Sequence, residues 1–171
     1  MTSQDSGRLE AIWLKRGKLA PMDEVESARV IEGRGLEGNA NQGGKRQITL
    51  LSAELWNEVV REFGEYLDPR SRRANLMVSG VDLAESRGRT LKIGDIKIQI
   101  YGETRPCELM DRNKEGLRSI LEANWRGGVF GEALGSGTLS IGDSVAWVEP
   151  RNLPDDKKPV EHILAVSPFE Y

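Results

Sequence analysis

The sequence predicts a mainly β protein of barrel-like form with two or more covering α-helices. Three observations carry this. Short apolar runs bounded by Gly, Pro, Asp and Ser recur along the 171 residues, the pattern of many short strands. In residues 95–102 Ile96, Ile98 and Ile100 alternate with polar neighbours, the period of a half-buried strand. Only two segments carry the wider apolar spacing of a helix.

The strands are expected in order at residues 9–16, 24–31, 46–51, 95–102, 128–134 and 144–150. Ile48 and Leu50 share one face of the third. The first helix is expected over 52–64. Ser52 is its N-cap, Glu54 lies in its first turn, Leu55, Val59 and Phe63 recur at fourfold spacing, and Gly64 closes it. The second is expected over 113–125, with Leu117, Ile120 and Leu121 on one stripe. Both stripes read as surfaces that cover the barrel. Two short segments, "LKIGDIKI" and "LSIGDSVAW", share Leu-x-Ile-Gly-Asp running into a strand. This reads as reused turn chemistry, since Gly and Asp both suit tight turns.

The length suits one domain, set at residues 1–150, followed by a proline-rich tail at 151–171. Pro150, Pro154, Pro159 and Pro168 remove backbone donors and argue against regular structure there. The net charge is -3 and charged residues make up 30%. That is a globular composition without the basic stripe of a nucleic-acid binder. One cysteine cannot form an intrachain disulfide and fits a reducing compartment. With no signal-like start and no long apolar run, a cytoplasmic protein without membrane contact is expected.

Three features could carry chemistry. "GRGLEG", residues 33–38, matches G-x-G-x-x-G, but "NANQGGKR" follows and opens no helix, so a dinucleotide fingerprint is rejected. The glycines between Gly33 and Gly44 still describe a loop able to bring backbone close to a ligand. Lys45 and Arg46, and then Arg70, Arg72, Arg73 and Asn75, concentrate basic and polar groups in two loops of an acidic chain. A solvated face is one reading and a local anion site is the other. The lone His162 lies in the tail, so neither a histidine–cysteine zinc site nor a Ser-His-Asp triad is credible.

The third feature is Cys107 in "GETRPCELMDR". Pro106 suits the first position of a helix, which would place Cys107 in a first turn. Arg105 and Arg112 flank it and favour a thiolate, whereas Glu108 opposes one. An inert buried thiol is the alternative. The position at the end of a strand favours a functional thiol.

The ordered set "EVESARVIEGRGLEGN", "RQITLLSAE", "RRANLMVSG", "LKIGDIKIQIYGETRPC" and "WRGGVFGEALGSGTLSIGDSV" resembles the MOSC domain. That family is named for the C-terminal domain of molybdenum cofactor sulfurase, and the likeness is to its small stand-alone bacterial members. The resemblance implies a β-barrel-like fold and makes Cys107 the family's cysteine. It would either ligate molybdenum of a pyranopterin cofactor or carry sulfur as a persulfide received from a pyridoxal-phosphate cysteine desulfurase. Relatives of the first kind reduce N-hydroxylated compounds and draw on an electron-donor protein. The cofactor's phosphate and pterin make Arg46, Arg73, Asn75, Arg105 and Arg126 candidate contacts. Such relatives often carry Asp and His in a "G-D-x-H" pattern, where this chain has Asn39 and Asn41. That departure keeps a third reading open, a non-catalytic module that binds a small anion.

Overall fold

The structure, a computed structural model, describes residues 7–105 and 115–148. Eleven strands are present among these: β1 (Gly7–Lys15), β2 (Met22–Val25), β3 (Ser27–Ile31), β4 (Gly35–Leu36), β5 (Ile48–Ser52), β6 (Leu76–Ser79), β7 (Thr90–Ile93), β8 (Ile96–Glu103), β9 (Val129–Ala133), β10 (Gly137–Ser140) and β11 (Ser144–Trp147). Seven of them close a ring in the order β11-β7-β8-β9-β5-β6-β1, because β1 also pairs with β11. β2 hangs from β1, and β10-β3-β4 form a small separate sheet.

A ring of seven strands cannot alternate direction all the way round. One neighbouring pair must be parallel, and it is β5–β6, with Leu50 opposite Leu76. A parallel pair needs a crossover rather than a tight hairpin. Helix α1 (Ala53–Phe63) supplies it. Its start and stop are those the sequence predicts. Ser52 Oγ accepts from the Leu55 N–H at 3.2 Å, and Gly64 closes the helix at φ 86°.

The inner faces of the strands fill the ring with aliphatic side chains, among them Ile12, Ile48, Leu50, Leu76, Ile98 and Ile100. A second cluster lies outside the ring, where Leu51, Trp56, Val59, Ala74, Leu117 and Leu121 meet. This is where α1 and α2 (Leu117–Leu121) cover the barrel. The predicted "LKIGD" and "LSIGD" turns come together, with the Gly94 N–H donating to Ser144 O at 2.9 Å.

Several expectations change in detail. The single strand at 24–31 is two strands in different sheets: β2 pairs with β1, and β3 pairs with β10. Val25 and Ala28 both pack on the main core, and their spacing of three breaks the two-residue period, so the chain must turn between them. The second helix is shorter than 113–125. Gly116 precedes it at φ 87°, and Asn124 and Trp125 follow at φ 54° and 60°. Left-handed backbone cannot continue a right-handed helix. Of the predicted stripe Leu55, Val59 and Phe63, Val59 is buried and Phe63 packs partly buried on the cluster, while Trp56 takes the buried place beside Leu55 and its indole also reaches the Leu67 carbonyl at 3.1 Å. The strands β4, β6, β7 and β10 were not predicted. Cys107, residues 113–114 of the predicted helix, and the tail with His162 lie outside the described residues.

Candidate functional site

On β5, Ile48 and Leu50 belong to the core, so Thr49 between them faces outward. A cleft of about 270 Å³ opens beside it. The end of β1 supplies Lys15, the β1–β2 hairpin Lys18, and the glycine-rich loop Asn39 and Asn41. The segment before β6 supplies Arg72 to Asn75, the end of β8 Thr104, and the approach to β9 Gly127.

The frame of this cleft is a buried amide network. Asn75 is 4% exposed. Its Oδ1 accepts from the Thr49 N–H at 3.1 Å and from the Thr49 hydroxyl at 3.2 Å. Its Nδ2 donates to Trp13 O at 3.1 Å and to Asn39 Oδ1 at 3.1 Å. One side chain thus ties β5, β6, β1 and the glycine-rich loop together. Asn39 Oδ1 also accepts from the Lys15 N–H at 2.8 Å. Asn75→Ala leaves several of these buried groups without partners. It should cost about 2–4 kcal/mol, read as a lower urea midpoint with an unchanged slope.

Arg72 is a second strut. It is 7% exposed. Its Nε donates to Gly127 O at 2.8 Å and its Nη2 to Thr104 O at 3.1 Å. The guanidinium fork holds the exit of β8 and the entry of β9 against the segment before β6.

The charge of the lining is one-sided. Lys15, Lys18, Arg46, Arg72 and Arg73 are cations, and no Asp or Glu is among the described residues that line the cleft. Burial pushes the Lys15 ammonium pKa down from its ordinary value, and the Arg73 and Arg46 charges push it further the same way. Arg73 sits at φ 62°, with Nη2 donating to Ala20 O at 2.8 Å. Arg46 lies over the Phe130 ring at 5.5 Å. A water-accessible hollow with five cations has a positive potential that favours an anion.

The predicted site residues divide. Arg46, Arg73 and Asn75 come together at the cleft, although the Asn75 side chain is spent on the frame. Arg105 lines a different groove, with Glu103, Arg118 and Glu122. Arg126 faces α1, where its Nη1 meets Glu62 at 2.6 Å. Cys107 lies outside the described residues. The loop at 33–44 contributes side chains to the cleft rather than glycine backbone. Lys15, Lys18, Arg72 and Thr104 are lining residues that sequence reasoning missed as site residues. Lys15 ends a strand that reads only as core, and its neighbourhood depends on pairing across the barrel.

Residues 37–146 match the MOSC domain. The chain belongs to the MOSC domain family. No curated protein sequence matches it. Among solved structures it is similar to the YUAD protein from Bacillus subtilis, with a TM-score of 0.70 at 20% identity over 82% of this chain and 94% of that one. YiiM from Geobacillus stearothermophilus gives 0.68 at 15% identity, over 84% and 75%. YiiM from Escherichia coli gives 0.64 at 19% identity, over 84% and 70%. At these identities the likeness is one of fold.

The departure at 39 has a structural meaning within this MOSC domain. Asn39 uses the same acceptor oxygen an Asp would use, toward Lys15 N and Asn75 Nδ2. It does so without a negative charge. The frame survives the exchange, and the lining keeps its one sign. Among the described residues no helix is long and apolar enough to cross a membrane.

Proposed function

We propose that the cleft holds the phosphate-bearing pyranopterin of a molybdenum cofactor, that Cys107 gives the metal its protein thiolate, and that the loaded protein reduces N-hydroxylated compounds. The observation that carries this reading is the described lining, which holds five cations and no carboxylate. Thr104 at its edge stands three positions before Cys107 in the chain.

The residues present fit such a group. Arg46 and Arg73 offer planar donor forks to phosphate oxygens, while Lys15 and Lys18 add unpaired charge. The cleft volume is small for a whole cofactor, and suits the phosphate with part of the pterin. Among the described residues no three His, Cys, Asp or Glu cluster as metal ligands. A metal held there needs most of its donors from the cofactor, whose soft dithiolene sulfurs match a single cysteine thiolate. When bound, the cofactor supplies the two-electron chemistry. The chain's own part is to neutralise the phosphate, orient the pterin, and keep a thiolate charged beside guanidinium groups.

Cys107→Ser, made in a host that synthesises the cofactor, should retain phosphorylated pterin and lose most of its molybdenum, both measured on the purified protein. Wild-type protein that carries neither, yet gains one sulfur mass on Cys107 from a desulfurase and cysteine, would replace this reading with the sulfur-carrier one.

A further inference from the structure

We propose that Lys15 is the proton-exchanging residue of the cleft, so that an anionic ligand enters together with a proton taken up by its side-chain amine. This rests on the anion-binding reading above and adds a residue and a linkage to it.

The geometry points to Lys15 by elimination. Of the groups that line the cleft, Asn39, Asn41, Thr49, Asn75 and Thr104 do not titrate in water's ordinary range, and Ala74 and Gly127 offer no ionisable side chain. Arg46, Arg72 and Arg73 keep their charge throughout. Lys18 is exposed on the hairpin. Among these described lining residues Lys15 alone is both half-buried and able to release its proton.

Its surroundings oppose that proton from every side described. Arg46 faces it from the start of β5 and Arg73 from the segment before β6. Arg72 and Lys18 complete the lining from the 3-10 helix Pro69–Arg72 and the β1–β2 hairpin. No carboxylate among the described residues pairs with it, since the nearby Asp23 pairs with Arg16 at 2.9 Å. Burial and these like charges together disfavour the ammonium form.

An anion in the cleft reverses both effects. It neutralises the repulsion from Arg46 and Arg73, and it gives the Lys15 ammonium a charge partner. The sign follows directly. In the empty cleft the Lys15 midpoint lies below the ordinary lysine value, and in the filled cleft it rises. Between the two midpoints, binding takes up a proton. A bound ligand then has an ammonium acid beside it in a cleft that has no carboxylic acid or imidazole among its described lining.

Sulfate is the suitable probe because it does not titrate near or above neutrality. The protein is labelled with ¹³C at the lysine ε carbons and titrated from about pH 7 to 11, in sulfate and in sodium chloride of matched ionic strength. The Lys15 signal is assigned by its loss in Lys15→Arg. We expect one lysine to titrate below the others in chloride, and its midpoint to rise by about 1 or more in sulfate. Lys15→Arg should hold sulfate within about threefold of wild type, since the charge remains, and Lys15→Met should weaken it about tenfold. A Lys15 midpoint that is the same in both salts, while the Thr49 and Thr104 amides respond to sulfate, would overturn the proton linkage and leave the anion site standing. If sulfate moves no cleft amide, the anion site falls and the linkage with it.

Discussion

Gly128→Ala should destabilise the protein severely. Gly128 stands just before β9 at φ 91°, where an L side chain is strained. A Cβ there would lie 2.0 Å from Leu50 O and 3.1 Å from Leu50 C. Those are backbone atoms of β5, which is held on one side by β9 and on the other by β6. Neither neighbour can give way without opening the ring. Gly128 also accepts from the Thr104 N–H at 2.8 Å, so a shift would reach the edge of the cleft. Strain and displacement together should cost about 3–5 kcal/mol, against a total stability of about 5–15 kcal/mol for a domain. Urea unfolding measures this. Gly43→Ala is the control: its φ is 74° with nothing within 4 Å, so it should cost only about 1–2 kcal/mol. Equal losses in the two variants would show that the close approach of β5 and β9 is not what demands glycine.

Arg46→Glu should weaken anion retention about 100-fold and leave stability nearly untouched. Arg46 is exposed and packs its guanidinium over Phe130, so the fold does not depend on it. The change removes one cation and adds a carboxylate to a described lining that has none. Loss of a charge-assisted hydrogen bond with added repulsion should cost about 3 kcal/mol of binding, roughly a 100-fold weaker affinity. Stability should stay within about 0.5 kcal/mol of wild type, as for a surface substitution. A lowered thermal midpoint with unaltered sulfate binding would remove Arg46 from the site.

The sequence shows the local features of this fold clearly and the long-range ones poorly. Ser52 and Gly64 mark the ends of α1 because capping is decided by side chains a few residues apart. The Ile96, Ile98 and Ile100 alternation marks β8 for the same reason. The join between β2 and β3 is hidden because Glu26 and Ser27 look like ordinary alternating positions. Only the two different partners, β1 and β10, reveal the turn. The cleft follows the same rule. Arg46 and Arg73 are visible as basic loops, and the family resemblance gives them a purpose. Lys15 comes from a strand that pairs with the start of β6, 60 or so positions later, and nothing near it in sequence announces the cleft. Arg126 looks equivalent to the other arginines until the structure places Glu62 against it. Asn75 looks like a contact residue and is mainly a strut, because its four hydrogen bonds are all internal.

The central claim is that the cationic cleft beside β5 holds the phosphate of a molybdenum pterin. The most direct measurement is the molybdenum and phosphorylated-pterin content of freshly purified protein from a cofactor-producing host, wild type beside Arg46→Glu. The account predicts both components in the wild type and near loss of both in the variant, with the fold intact. Wild-type protein devoid of both, or an Arg46→Glu variant that carries as much as wild type, would contradict it.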